Sequence, residues 1–176
     1  MNDKSIEKLR YDKRANQELA KTRDNNPSKS ELYLEQPNLF YYKLLREIKA
    51  GSIVLELGAG MGENTEIMLG RGLKVVASDI SPASVKVMKN RFSTYTDFSA
   101  EVVDMEKLLF EDNSFDVVCS AGSLSYGDNK IVMNEIYRVL KKDGSFIALD
   151  SLSNNPIYNI NRYLHYLKGN RSKSTL

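Results

Sequence analysis

The chain has 176 residues, 41% of them hydrophobic, and a formal net charge of +2. That length suits one domain with a packed core, and so small a charge gives no global pull toward nucleic acid or an anionic membrane. No apolar stretch approaches the roughly twenty residues of a membrane span, and Met1-Asn2-Asp3-Lys4-Ser5 has no signal-peptide apolar core. The single cysteine, Cys119, excludes an internal disulfide and lies in an apolar run. It reads as core packing in a cytoplasmic protein, and no cluster with metal-ligand spacing accompanies it.

Residues 1–30 are dense in charged and polar side chains, and Asn25-Asn26-Pro27 breaks any helix there. They read as a polar N-terminal arm, mobile or loosely docked. Helical signals begin near Ser30, with apolar or aromatic residues at 32, 33, 40, 41, 44, 45 and 48 and Pro37 at a helix start. Strands and helices then alternate, with strands near 53–57, 74–78, 100–103, 115–120 and 145–150 and helices near 63–70, 82–92 and 129–141. Ser81-Pro82 is a cap followed by a first-turn proline, and Lys141-Lys142-Asp143-Gly144 reads as a last helical turn with a glycine beyond it. Alternating βα units predict an α/β fold, a parallel sheet with helices on both faces over 31–150. Residues 151–176 carry Arg162, Lys168, Arg171 and Lys173 and no Asp or Glu, a basic helix and tail that is solvated or meets an anionic partner.

The densest signal is Ile53-Val-Leu-Glu-Leu-Gly-Ala-Gly-Met-Gly62, an apolar run ending in Glu56 with glycines at 58, 60 and 62. A helical stretch and a second apolar run ending at Asp79 follow. Strand, glycine turn, helix, strand and carboxylate together form a nucleoside-cofactor unit, in which the acidic tip accepts from ribose hydroxyls. A dinucleotide fingerprint places its third glycine three residues after the second, where Glu63 stands here. Carboxylates near that helix start suit a pyrophosphate poorly. Glu56 suits a ligand with a positive end.

The chain resembles the class I S-adenosylmethionine-dependent methyltransferases, small-molecule branch, over about residues 40–150. Residues 54–65, VLELGAGMGENT, resemble the family's first motif, and 75–85, VVASDISPASV, its second-strand acidic motif. Residues 100–118 and 135–150 resemble the third to fifth strands and their connections. The resemblance implies a Rossmann-like sheet, the first five strands of that fold. It also implies S-adenosyl-L-methionine as cofactor and S-adenosyl-L-homocysteine as product.

Under that resemblance each strand end has a role. Gly58, Ala59 and Gly60 pass under the methionine part. Asp79 holds the ribose, and Ile80 packs on the adenine face or in the core. Asp104 accepts from the adenine amino group while Met105 offers a backbone N–H; Asp104 also reads as a helix cap, and the two roles are compatible. Ser120 and Ala121 turn carbonyls toward the methionine ammonium. Many relatives carry a histidine where Ser125 or Tyr126 stands, so these two are candidate substrate-positioning residues, and no catalytic base is assigned. His165, the only histidine, reads as a base or a helix-surface residue.

The chain lacks the family's C-terminal strands 6 and 7, because one helical pattern and no strand pattern follows residue 150. Strand five is then an open edge, expected to pair with a second copy or to be covered. The expected function is methyl transfer to a small or medium-sized acceptor. The alternatives are a truncated cofactor-binding domain without turnover and an NAD-linked oxidoreductase. A nucleic-acid acceptor is disfavoured by the lack of a basic-aromatic patch and of an Asn/Asp-Pro-Pro-aromatic tetrad.

Overall fold

The computed structural model describes residues 3–20 and 35–150. The basic helix and tail expected over 151–176, with His165, lie outside the described residues. Among the described residues no helix is long and apolar enough to cross a membrane.

Helices α1 (Asp3–Ala20) and α2 (Glu35–Glu47) precede β1 (Ile53–Leu57), α3 (Glu63–Leu69), β2 (Lys74–Asp79) and α4 (Pro82–Arg91). β3 (Phe98–Val102), β4 (Phe115–Ala121), a 3-10 turn (Leu124–Tyr126), α5 (Asn129–Val139) and β5 (Leu140–Leu149) follow. The five strands form one parallel sheet in the order β3-β2-β1-β4-β5. This is the α/β architecture the alternating pattern predicts. The order reverses between β1 and β4, so the crevice for a ligand opens at the carboxyl ends of those strands.

Side-chain alternation splits the core into two layers. Val54, Val75, Ala77 and Cys119 face Tyr41, Leu45, Met68, Val85 and Met88 of α2, α3 and α4. Leu55, Leu57 and Val118 face Val132, Ile136 and Val139 of α5. Cys119 is fully buried with its Sγ 3.8 Å from Met68 Sδ, a packing residue as its apolar run implied.

Two local readings need correction. The polar arm over 1–30 contains an 18-residue helix, α1, that packs along α4 instead of lying loose. Among its described side chains the buried ones are Glu7 and Ala15, whereas Leu9 is 54% exposed, so it docks through a polar and small face. The helix expected over 129–141 stops at Val139, and Lys141 to Gly144 belong to β5. Phe115 pairs with Leu140 but Val117 with Ser145, so β5 bulges by three residues against β4. Lys141 Nζ reaches Asp116 Oδ1 at 2.7 Å across that bulge. A Cβ at Gly144 would stand 2.9 Å from Lys141 O, which is why this position takes glycine. Among the described residues β5 is the edge of the sheet, with β4 as its one paired strand.

Candidate functional site

The turn after β1 and the tip of β2 are locked together by the chain itself. Ala59 N–H donates to Ser78 O at 2.9 Å, and Gly60 N–H donates to Asp79 Oδ2 at 2.9 Å. Asp79 Oδ1 accepts Ser81 N–H at 2.8 Å. Each carboxylate oxygen has two acceptor sites, so both keep capacity for a further donor. Burial pushes the Asp79 carboxyl above its ordinary range; the Ser81 and Gly60 N–H groups oppose that shift, and the Asp12 and Glu63 charges add to it.

Gly58 is the tightest point. Its φ is +63°, and a Cβ there would lie 2.3 Å from Ser123 Cβ. The missing side chain therefore admits Ser123, whose hydroxyl donates to Leu57 O at 3.2 Å. Ser120 Oγ lies 2.7 Å from Ser123 Oγ and completes a buried chain of hydroxyls beneath the turn. Across the site, Asp104 Oδ1 accepts Glu106 N–H at 3.0 Å, which closes a turn after β3; residues 105–109 form no helix, so the expected helix cap is a turn contact instead. Leu124 N–H donates to Asp150 Oδ2 at 2.9 Å, which fixes the loop after β4.

These strand ends surround a cavity of about 620 Å³, counting its mouth. Of the residues singled out from sequence, Gly58, Asp79, Ile80, Asp104, Met105, Ala121 and Tyr126 line it. Glu56, Ala59, Gly60, Ser120 and Ser125 do not. Ser125 is buried, and Ser120 is turned to Ser123. Glu56 shares the sheet face of Val54, so its side chain enters the layer under α3 instead of the crevice. There Thr65 Oγ1 donates to Glu56 Oε2 at 2.5 Å. Burial pushes the Glu56 carboxyl up to about 7, against the lowering pull of Thr65.

Sequence reasoning missed Glu7 and Tyr11 on α1, and Ser78 and Val103 at strand ends, all of which line the cavity. The two strand-end residues adjoin predicted positions, so widening each strand tip by one residue would have found them. For α1 the available signal was a run of strong helix formers free of glycine and proline from Asp3 to Ala20.

Residues 55–148 match the methyltransferase domain family. A Methanocaldococcus jannaschii protein, MJ1252, is 37% identical over 130 residues, 73% of this chain and 47% of its own length. The demethylmenaquinone methyltransferase of Paenarthrobacter aurescens is 36% identical over 109 residues, 59% of this chain and 40% of its own. Among solved structures, phosphoethanolamine N-methyltransferase 2 of Haemonchus contortus was determined with phosphomonomethylethanolamine and S-adenosylhomocysteine. It superposes with a TM-score of 0.63 at 25% identity, over 79% of this chain and 33% of that one. The chain belongs to this family, the class I S-adenosylmethionine-dependent methyltransferases. It spans less than half the length of the curated relatives it matches.

Proposed function

We propose that this chain binds S-adenosyl-L-methionine in the cavity at the β1–β4 crevice and serves methyl transfer to a small or medium-sized acceptor. The observation that carries this reading is the placement of two carboxylates, Asp79 and Asp104, at the ends of neighbouring strands on one cavity. The donor set fits the cofactor. Asp79 has acceptor capacity for ribose hydroxyls, and Ile80, Val103 and Met105 offer an apolar wall for adenine. Gly58 and the Ala121–Ser123 turn supply close backbone for the amino-acid end.

The bound cofactor supplies a methyl group already activated on a sulfonium. The chain's share is to hold the two ligands in line and to exclude water, which needs no strong base. Tyr126 borders the cavity and is the candidate wall for the acceptor. Glu56 acts from below: through its hydrogen bond with Thr65 it fixes the start of α3 under the turn. That role differs from direct contact with the ligand's positive end, as first read from its position in the motif.

The NAD-linked alternative meets two obstacles. Glu63 opens α3, where a pyrophosphate would need the helix N-terminus. Gly62 serves packing: a Cβ there would stand 2.5 Å from Phe92 Cε2. Among the described residues β5 pairs on one side only, and its other side is where a second copy of the chain would pair, which sedimentation at micromolar concentration tests. Calorimetry with S-adenosyl-L-homocysteine and with NAD tests the cofactor, and transfer of a labelled methyl group to a panel of acceptors tests turnover. Saturable binding of NAD but not of S-adenosyl-L-homocysteine would overturn the proposal; binding without transfer to any acceptor would leave the cofactor-binding alternative.

A further inference from the structure

Helix α1 covers the cavity, and its contacts tie it to the ribose-side loop. Glu7 and Tyr11 stand about one turn apart and both line the cavity. Arg10 joins them: its Nη2 lies 2.8 Å from Glu7 Oε2, and its guanidinium carbon sits 4.9 Å from the Tyr11 ring centroid. Glu7 is only 3% exposed, a charged group held at the cavity boundary by its partner. The helix packs on α4 at one side of the mouth and on the Leu124–Tyr126 turn at the other, so it bridges the crevice.

The fastening is specific. Ser81 Oγ donates to Asp12 Oδ1 at 2.5 Å. Ser81 is also the N-cap of α4, accepting Ser84 N–H at 3.1 Å, and its own N–H donates to Asp79 Oδ1 at 2.8 Å. One residue thus anchors both the covering helix and the carboxylate at the tip of β2. Asp12 and Asp79 face each other across it, and the Asp12 charge is among the groups that oppose ionisation of Asp79. A ligand mostly enclosed by a pocket needs a wall that opens. The strands around this crevice are fixed by their ladders. Among the described residues, the one wall held by side chains on a separate helix is α1.

We propose that α1 is the gate of this cavity, with Glu7, Arg10 and Tyr11 as its roof and the Asp12–Ser81 hydrogen bond as its latch, so that ligand entry and exit require that bond to open. The inference rests on the cofactor reading given above. It assigns exchange kinetics to residues outside the family's motif region.

The test is rapid-mixing measurement of S-adenosyl-L-homocysteine association and dissociation on the parent chain, Asp12→Ala and Asp12→Asn. Breaking a hydrogen bond to a charged acceptor should raise both rate constants of Asp12→Ala about tenfold. The dissociation constant should move far less. Asp12→Asn keeps an acceptor for Ser81, and both of its rates should stay within about twofold of the parent, a span well below one broken charged bond. Amide exchange supplies the fold control: Asp12→Ala should speed exchange over residues 3–20 and leave β1 and β4 unchanged. Rates of Asp12→Ala within twofold of the parent would overturn the gate. So would a change confined to dissociation, which would make α1 a static wall, or equal acceleration by Asn and Ala. If the parent chain binds no S-adenosyl-L-homocysteine, the cofactor reading itself falls, and the gate with it.

Discussion

Gly60 donates its backbone N–H to Asp79 Oδ2 at 2.9 Å, so the glycine turn after β1 is pinned to the carboxylate that ends β2. Ser81 holds the other oxygen. The carboxylate is therefore oriented by the protein before any ligand arrives, and binding need not order it. This arrangement makes Asp79 both a structural acceptor and the proposed ribose acceptor.

Asp79→Ala should accordingly do two things. It removes a charged acceptor, which is worth about 1.5–3 kcal/mol of ligand affinity. It also strands two backbone N–H groups, so the thermal midpoint should fall. Calorimetry with S-adenosyl-L-homocysteine, at a temperature where circular dichroism shows the variant folded, checks the first effect. Unchanged affinity would remove Asp79 from the binding site and leave it a structural residue.

Glu56 should leave a pH signature. Its folded value is about 7, against an ordinary 4.5. Between those values the folded chain keeps a proton that the unfolded chain releases. Stability from the neutral group is thus fully present below about pH 4.5 and is lost as pH rises through about 7. At 1.36 kcal/mol per unit the total is about 3 kcal/mol. Glu56→Gln does not titrate, so denaturant unfolding should show it gaining on the parent as pH rises from about 5 to 8. A difference that stays flat over that range would show that Glu56 ionises normally.

The sheet was legible because its strands are short apolar runs closed by glycine or carboxylate, and the period-two and helical patterns do not overlap there. Strand tips were legible for the same reason: Asp79, Asp104 and Ala121 end runs that the pattern marks, and all three line the cavity. What the pattern could not give was the face. Glu56 sits in a strand and alternation decides its side, which turned it under α3 and out of the crevice. Helix α1 was illegible because it docks through Glu7 and Ala15 and shows Leu9 to solvent, the inverse of an apolar stripe. Ser123 carries no local signal either; its importance comes from Gly58, far away in sequence.

That pairing makes its own prediction. A Cβ at Gly58 would overlap Ser123 Cβ, and the backbone there has a positive φ. Gly58→Ala should cost about 1–2 kcal/mol from backbone strain and another 1–3 kcal/mol from overpacking. Ser123→Gly removes the overlapping atom, so the double variant should recover the second part and not the first. Urea unfolding of the four proteins in a mutant cycle measures the coupling. Strict additivity would show that Gly58 serves only backbone geometry or close approach of a ligand.

The cavity wall at Asp104 and Met105, the proposed adenine side, depends on a clamp distant from it. Arg138 of α5 donates Nη1 to Phe110 O at 2.7 Å and to Asp112 Oδ1 at 2.8 Å. Its Nη2 donates to Leu108 O and Glu135 Oε2, each at 2.9 Å, and Nε donates to Glu135 Oε1 at 2.9 Å. Glu135 in turn accepts Leu108 N–H at 2.7 Å. These bonds hold the segment from β3 to β4, whose first residues after β3 include Asp104 and Met105 in the cavity wall. A planar fork can serve these five acceptor atoms on four residues at once, and an ammonium cannot. Arg138→Met keeps the aliphatic stem and drops the fork. Amide exchange over residues 106–112 should then accelerate about tenfold or more, the loss of one or two charged hydrogen bonds. S-adenosyl-L-homocysteine should bind more weakly, but by less than in Asp79→Ala, because the affected wall is displaced and not deleted. Arg138→Lys should resemble Met more than the parent. If Lys restores parental exchange over 106–112, charge alone holds the segment and the forked geometry is not what orders that wall of the cavity.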